Sequence, residues 1–369
     1  MKIGILTVPF NNNYGGFLQA YALKTVLKDM GHEVIFINRQ RNPSTTLKFR
    51  VYRMFVKLHL LKDYIGDKIR TISVNTDQFR EKYLSPISPA YYSSKAMQDC
   101  LKFGIDFLIV GSDQVWRYKY AKDSIDDFFF GFVEENNSIP RISYAASFGT
   151  DIMDYPTAKI NEIKGLLTHF RAISVREESG KYLLTEYLDV PASKVQTVLD
   201  PTLLLNAEYY YNNLFKKLQP KVGKYVFTYI LDKEMLDAEA LNFFVQEHGQ
   251  LHVEMKAQTG DIKALNVIEP VEKWLCSIYY ADYVVTDSFH GTVFSILFHK
   301  QFVVLANPNR GIARLQSLLK MMGLEDRMLT KIDGYLKTNL LHPINWKQVE
   351  ERLQSHRAKS MFFLTQSLF

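Results

Sequence analysis

The stretch Asp287-Ser288-Phe289-His290-Gly291 brings an acid, a hydroxyl and an imidazole together between a predicted strand and a predicted helix. Residues 283–286 are β-branched or aromatic and carry no charge, which predicts a short buried strand. A polar turn after such a strand is where open α/β sheets bind ligands, and the amino end of the following helix favours an anion. An imidazole there could transfer a proton near neutral pH. The alternative interpretation is that Asp287 and Ser288 only cap the helix and that His290 packs against the sheet.

Four more polar or glycine-rich turns follow predicted strands in the first half of the chain, at residues 11–16, 111–114, 147–149 and 176–179. The carboxyl ends of parallel strands lie along one edge of a sheet, so the four turns together predict a cleft wall at that edge. The candidate binding or catalytic residues in these turns are Asn13, Gly15, Asp113, Ser147, Arg176 and Glu177.

The first of these turns, Asn11 to Gly16, opens a helix predicted over residues 17–30. In one interpretation the backbone of the turn reaches a phosphate or a sugar hydroxyl. In the other, glycine supplies a positive φ in a tight connection. The turn lacks the spacing of a GxGxxG fingerprint, which argues against a dinucleotide.

Predicted strands and helices alternate along the chain, which is the pattern of a parallel α/β fold. Buried strands are predicted at residues 2–8, 32–38, 107–110, 141–145 and 172–175. After a polar, Lys-rich passage over residues 206–224, strands resume at 225–231, 251–255, 283–286 and 302–306. We therefore predict two Rossmann-like domains, residues 1–205 and 206–345, that face each other across a cleft. A last helix over residues 346–369 is expected to pack back on the first domain.

Composition narrows the function classes. The chain has 369 residues, of which 47% are hydrophobic, so it is a globular protein too long for one core. Its formal net charge of +6 favours an anionic substrate or a membrane surface, and the lack of any Lys/Arg run or zinc-finger spacing argues against nucleic acid. Cys100 and Cys276 lie far apart in the sequence, which fits a reducing compartment. The first residues are typical of a strand rather than a signal peptide, so a cytoplasmic protein is expected, with the inner face of the membrane left open.

Residues 46–72 form a basic segment, with seven cationic side chains against two acidic ones, Asp63 and Asp67. Apolar residues recur in it at roughly helical spacing, which predicts amphipathic helices. Two interpretations stay open. The commoner use of such helices is to cover a core; the other is a basic edge near the cleft mouth that contacts an anionic membrane.

Seven stretches, taken together and in this order, resemble the polysaccharide pyruvyl transferase family. They are residues 12–15 (NNYG), 18–23 (LQAYAL), 110–116 (VGSDQVW), 143–149 (SYAASFG), 174–180 (SVREESG), 200–204 (DPTLL) and 286–292 (TDSFHGT). Members of that family resemble two-domain glycosyltransferases of the GT-B arrangement. The resemblance implies transfer of the enolpyruvyl group of phosphoenolpyruvate to two hydroxyls of a sugar. The sugar would belong to a polysaccharide or its lipid-linked precursor, and the product would be a pyruvate ketal.

The donor carries a carboxylate and a phosphate, so its site needs cations and oriented hydrogen-bond donors. Arg176 matches the family's arginine and is implied to bind these groups, while His290 matches the family's histidine and is implied to protonate the methylene carbon. Some members carry an arginine two residues before that histidine, where this chain has Ser288 as a further substrate-binding candidate. The second anionic group is then left to one of three cations in the second half: Arg314, which is preferred, Arg310 or Lys256.

On the acceptor side, the turns that contain Asn13 and Asp113 are expected to face the sugar. Either Asp113 or Glu177 could accept the hydroxyl proton, and the sequence leaves that choice open. No cluster of His, Asp or Cys has metal-ligand spacing, so neither a metal nor a cofactor is expected beside phosphoenolpyruvate.

Two other functions remain open. A nucleotide-sugar glycosyltransferase could share the two-domain plan, although the second half lacks the paired-glutamate turn that such enzymes often use for the ribose. A sugar-binding scaffold without activity is the other, and it has no use for Arg176 and His290 at two strand ends.

Overall fold

The computed structural model of the chain describes residues 1–41, 47–58, 62–219, 223–232, 234, 237–247, 251–257, 266–307, 311–329 and 343–369. Arg310, one of the predicted anion-binding residues, lies outside these ranges, as does part of the basic segment. Among the helices within them, none has the length and apolarity that a membrane span needs.

The first sheet has six parallel strands, and most of their side chains are buried, as the β-branched and aromatic composition of such strands requires. The strands are β1 (Lys2–Leu6), β2 (Glu33–Ile37), β3 (Phe107–Val110), β4 (Arg141–Ala146), β5 (Phe170–Val175) and β6 (Val195–Thr197). Their order in the sheet is β2-β1-β3-β4-β5-β6. Because the order reverses between β1 and β3, the loops after these two strands diverge and leave a crevice.

The second sheet has five parallel strands: β7 (Tyr225–Tyr229), β8 (Leu251–Glu254), β9 (Tyr283–Thr286), β10 (Gln301–Leu305) and β11 (Met328–Leu329). Their order is β11-β10-β9-β7-β8, so the strand order again reverses next to the first strand of the sheet. The prediction of an α/β fold with two Rossmann-like sheets is confirmed.

Helices cover both sheets. In the first half they are α1 (Tyr14–Asp29), α2 (Leu47–Lys57), α3 (Tyr64–Phe79), α4 (Ser94–Met97), α5 (Tyr118–Ala121), α6 (Thr157–Thr168) and α7 (Glu178–Glu186). In the second half they are α8 (Ala207–Tyr210), α9 (Ala238–Glu247), α10 (Val271–Tyr279), α11 (Phe289–Leu297), α12 (Ile312–Met322) and α13 (Trp346–Leu368). The helices α1 and α11 are the most buried, because they lie where the two halves meet.

An apolar contact joins the halves at the start of α1. The ring of Tyr14 stacks on Trp274 of α10 with 5.3 Å between ring centroids. Its hydroxyl donates a hydrogen bond to the carbonyl oxygen of Glu269 at 3.0 Å. Both rings are buried, so the first turn of α1 is held against the second half.

The last helix, α13, contacts both halves. Within the first half, the backbone N–H of Leu199 donates to Ser360 Oγ at 2.9 Å, and Arg357 Nε donates to the carbonyl of Leu203 at 2.7 Å. Apolar residues of α13 also pack in the core cluster that includes α12. The boundaries at residues 205 and 345 stay predictions.

Two helices begin earlier than the sequence predicts. The helix α1 starts at Tyr14, because the Asn13 side chain accepts a hydrogen bond from the Gly15 N–H. The helix α11 starts at Phe289, because Ser288 Oγ accepts one from the Gly291 N–H. Gly15 is therefore helical and has no positive φ, so the interpretation of the first turn as a positive-φ connection is wrong.

Candidate active site

Arg176 and Asp200 form a buried ion pair at the centre of the site. Arg176 follows β5, and its Nη1 donates to Asp200 Oδ2 at 2.6 Å. The same oxygen accepts from Ser112 Oγ at 2.9 Å, and Oδ1 accepts from the hydroxyl and the N–H of Thr202. Burial by itself raises the pKa of Asp200, but the charges and hydrogen bonds of its neighbours, with His290 first, outweigh it and hold that pKa well below its ordinary range.

His290 reaches the same carboxylate from the other half of the molecule. It lies in the first turn of α11, and its Nε2 is 3.5 Å from Asp200 Oδ2. The other side of the imidazole faces the first turn of α1, where a Cβ built on Gly15 would overlap with Nδ1. The ring is thus held between Gly15 and Asp200, and His290 and Arg176 meet at one carboxylate oxygen.

Arg314 brings a second buried guanidinium to this place. It lies in the first turn of α12, with its Nη1 3.8 Å from Asp113 Oδ1. The ring of Phe289 packs against both arginines, with its centroid 4.2 Å from the guanidinium carbon of Arg176 and 5.4 Å from that of Arg314. Burial, and then the positive charge of Arg176, lower the pKa of Arg314 to about 10. An incoming anion would relieve the repulsion between the two cations.

Asp113 connects this cluster to the crevice of the first sheet. Its φ is +80°, which is uncommon for a residue other than glycine, and its Oδ1 accepts from the Gln114 N–H at 2.9 Å. Arg176 Nη2 lies 3.6 Å from the same oxygen. Asp113 also borders a cavity of about 220 Å³ whose polar lining includes Asn13, Arg41, Gln114 and Tyr120. The cavity lies after β1 and β3, where the strand order reverses.

The family model of polysaccharide pyruvyl transferases matches residues 13–309, a range that contains the whole cluster except Arg314. The chain belongs to this family. The resemblance stated from its motifs is therefore confirmed. No protein of curated function matches the sequence.

Solved structures resemble this pyruvyl transferase family member in fold. A putative UDP-N-acetylglucosamine 2-epimerase from Listeria monocytogenes has a TM-score of 0.53 and 9% identity, over 96% of this chain and 90% of that one. A UDP-GlcNAc 2-epimerase from Neisseria meningitidis has a TM-score of 0.47 and 11% sequence identity, over 100% of this chain and 94% of that one. An O-GlcNAc transferase from Thermobaculum terrenum has a TM-score of 0.47 and 12% sequence identity, over 100% of this chain and 66% of that one. The first likeness shows the fold alone, and with it the predicted GT-B-like arrangement.

In this transferase, Ser147 and Glu177 are wholly buried and bond to each other. Glu177 Oε1 accepts from Ser147 Oγ at 2.8 Å and from the N–H groups of Phe148 and Gly149 at 3.0 and 3.2 Å. The pair thus fixes the turn after β4. Their predicted contacts with substrate stay predictions that this geometry does not favour, and Asp113 is the better placed of the two candidate bases.

Lys256 is not part of the cluster. It follows β8, the edge strand of the second sheet, and β7 separates that strand from β9 and His290. Its exposed side chain lines a separate groove of about 830 Å³ beside α10. The prediction that it takes the place of a second arginine at the site is therefore wrong.

Two predicted site residues act as helix caps. Ser288 caps α11 and Asn13 caps α1, although Asn13 also borders the cavity. Asp287 does not cap α11; its carboxylate accepts from the N–H groups of Leu231 and Asp232 at 2.6 and 3.1 Å and so ties β9 to β7. Ser288 therefore caps the helix and Asp287 does not, while a contact of Ser288 with substrate stays a prediction.

Asp200 is the site residue that the sequence analysis missed. It stands in the stretch 200–204 that resembles the family, but no role is predicted for it from the sequence. The sequence signal for it is an acidic residue just after a strand. That signal is weak here, because β6 has only three residues and such a short strand is hard to recognise in a sequence. Within the described residues, no three His, Cys, Asp or Glu side chains form a group that could hold a metal ion.

Proposed function

We propose that this protein transfers the enolpyruvyl group of phosphoenolpyruvate to two hydroxyls of a sugar, forms a pyruvate ketal and releases phosphate. The observation that carries the proposal is a set of buried donors at one corner of the site that no hydrogen bond satisfies. Arg176 Nε and Nη2 and His290 Nε2 are buried and donate no hydrogen bond of ordinary length in the described structure; Nη2 and Nε2 lie 3.6 and 3.5 Å from carboxylate oxygens of Asp113 and Asp200. Buried donors are rarely left so, and an anionic donor substrate would satisfy all three.

Phosphoenolpyruvate fits the charge of this corner. Its carboxylate and phosphate require at least two cations, and Arg176 and Arg314, which both contact the ring of Phe289, supply them. The pair with Asp200 occupies Nη1 of Arg176 and fixes the guanidinium, which leaves Nε and Nη2 as the donors that the ligand would use. No cofactor and no metal are part of the proposal.

The reaction then needs one acid and one base. His290 gives a proton to the methylene carbon, which leaves an oxocarbenium-like centre at the carbon that bears the phosphate. The first sugar hydroxyl bonds to that carbon and loses its proton to Asp113. The carbon–oxygen bond to phosphate breaks, and phosphate leaves with the electron pair. The second hydroxyl adds to the same carbon and gives its proton to the departing phosphate, which completes the ketal and releases hydrogen phosphate.

The acceptor side of the proposal rests on the cavity beside Asp113. Asn13 and Gln114 offer amide groups, Tyr120 a phenol and Arg41 a guanidinium, which suit the hydroxyls of a sugar. Asp113 borders both this cavity and the two arginines, so it is where a hydroxyl could meet the donor carbon.

Release of phosphate tests this function. The purified protein, given phosphoenolpyruvate and a panel of lipid-linked and nucleotide-linked sugars, should release phosphate with at least one acceptor and only when that acceptor is present. UDP-sugars and GDP-sugars in place of phosphoenolpyruvate serve as the comparison. Consumption of a nucleotide sugar as donor, with no consumption of phosphoenolpyruvate, would assign the protein to the glycosyltransferases instead.

A further inference from the structure

The helix α2 exposes a continuous apolar stripe. Val51, Met54 and Phe55 of the helix, with Leu58 directly after its last residue, stand at positions i, i+3, i+4 and i+7, so they share one face. All four are exposed, Met54 at 52% and Leu58 at 58%. A helix that only covered a core would bury these side chains, and this one does not.

The helix α3 also exposes apolar side chains. Ile65, Ile69, Ile72 and Phe79 lie on one stripe, of which the last two are buried and the first two exposed. The carboxyl-terminal half of α3, the covered end, therefore packs on the protein. In its first two turns the apolar side chains of the same stripe are exposed to solvent. We name the exposed apolar residues of α2, of Leu58 after it and of the first two turns of α3 the hairpin face; they are Val51, Met54, Phe55, Leu58, Tyr64, Ile65 and Ile69.

The covered end of α3 lies at the junction of the two halves. Asn75 Nδ2 donates to the carbonyl of Ile268 at 2.7 Å, and the Ile268 N–H donates to the carbonyl of Ile72 at 3.0 Å. Thr76 Oγ1 donates to Asn12 Oδ1 at 3.3 Å, two residues before α1 begins. The hairpin is thus anchored near the turn that leads to Gly15.

The sequence segment that carries the hairpin face is strongly positive. Residues 47–70 contain seven Lys or Arg and two Asp, which gives a formal charge of 7 − 2 = +5. Asp63 caps α3 by accepting from the Gly66 N–H at 3.0 Å, and Asp67 pairs with Arg70. Lys57 and Lys62 are exposed beside the apolar stripe. An occupant of this face must therefore offer apolar volume and negative charge together.

We propose that the hairpin face docks on an anionic lipid bilayer. Its apolar side chains would enter the boundary between headgroups and acyl chains, and the cations would contact the anionic headgroups. A bilayer surface supplies both features in one plane, which matches the single face that α2 presents. The proposal does not depend on the proposed activity. If both hold, the cleft mouth lies beside the membrane, where a lipid-linked sugar would arrive.

Vesicle flotation with the full chain tests the proposal. The protein should float with vesicles of equal parts phosphatidylglycerol and phosphatidylcholine, and should not float with phosphatidylcholine alone. Met54→Ser with Leu58→Ser should weaken binding about tenfold, because apolar area is lost. Lys57→Gln and Lys62→Gln should each weaken it about fivefold, and raised salt should do the same to the intact chain.

The matched control is Phe362→Ser on α13, an aromatic side chain that is 64% exposed outside the hairpin. It should float like the unaltered protein. Failure of the unaltered protein to bind anionic vesicles, or equal binding to neutral ones, overturns the proposal. Dimers that dissociate in the Met54→Ser, Leu58→Ser variant would assign the face to a second copy of the chain and overturn it too. None of these readouts needs enzyme activity, so they fail independently of the proposed reaction.

Discussion

Replacing Gly15 by alanine should reduce turnover about as strongly as removing the imidazole of His290, by about 10²- to 10⁴-fold if His290 is the general acid. A methyl group on Gly15 would overlap with the ring of His290, which is buried and has Asp200 on its other side. Either the ring turns away or α1 moves, and both changes separate the acid from the donor. Steady-state phosphate release from phosphoenolpyruvate measures the loss.

Gly16→Ala is the control for this prediction. Gly16 lies in the same helical turn, but the nearest atoms to a Cβ there are those of Asn13, at 3.6 Å or more. The variant should keep its activity and gain up to about 1 kcal/mol of stability, since alanine is the better helix former. In a chain that already carries His290→Ala, Gly15→Ala should cost little more, because the methyl group then has room. Full activity of Gly15→Ala alone would show that the position of the imidazole is unimportant.

Asp200→Asn should lower the free energy of unfolding by about 3–5 kcal/mol, because it leaves the buried guanidinium of Arg176 without its partner charge. The effect should depend on pH. The pKa of Asp200 is lowered in the folded protein, so its contribution is fully present above the pKa of an unfolded aspartate, about 4, and is lost as pH falls below it. Urea unfolding at neutral and at acidic pH should show the difference between variant and parent shrinking with acidity.

A second buried pair provides the control for Asp200. Asp127 accepts from Arg39 Nε at 2.6 Å, the distance of the Arg176–Asp200 pair, and both of its members are buried. Asp127→Asn should therefore destabilise the protein by a similar amount. Activity per folded molecule should fall much further in Asp200→Asn, since only that change also removes the carboxylate beside His290. Equal losses of activity in the two variants would show that Asp200 has only a structural role.

Polar turns that follow predicted strands located much of the site, because parallel strands have their carboxyl ends at one edge of the sheet. His290, Arg176, Asp113 and Arg314 all follow strands or open helices at that edge, and the structure groups them. The same reasoning failed for Lys256, because the sequence does not reveal which strand lies at the edge of the sheet. That order is set by crossovers between distant segments.

The sequence also does not show which partner each residue of a turn bonds to. Glu177 and Arg176 are neighbours in one turn, yet Glu177 bonds backwards to the turn after β4 while Arg176 bonds to Asp200. The need for glycine at position 15 was likewise hidden, since it arises from an imidazole far away in the chain. Glycine in the first turn of a helix, where alanine is favoured, is the only local sign of such a close approach.

The fate of isotopically labelled phosphoenolpyruvate tests the central claim most directly. With the label at the carbon that bears the phosphate and an acceptor from the phosphate-release panel, NMR of the product should show that carbon bonded to a methyl group and to two sugar oxygens. One phosphate should be released for each ketal formed, and His290→Ala should yield about 10²- to 10⁴-fold less product in the same time. A labelled carbon that is recovered only in pyruvate or in unreacted donor, with every acceptor tried, would contradict the account.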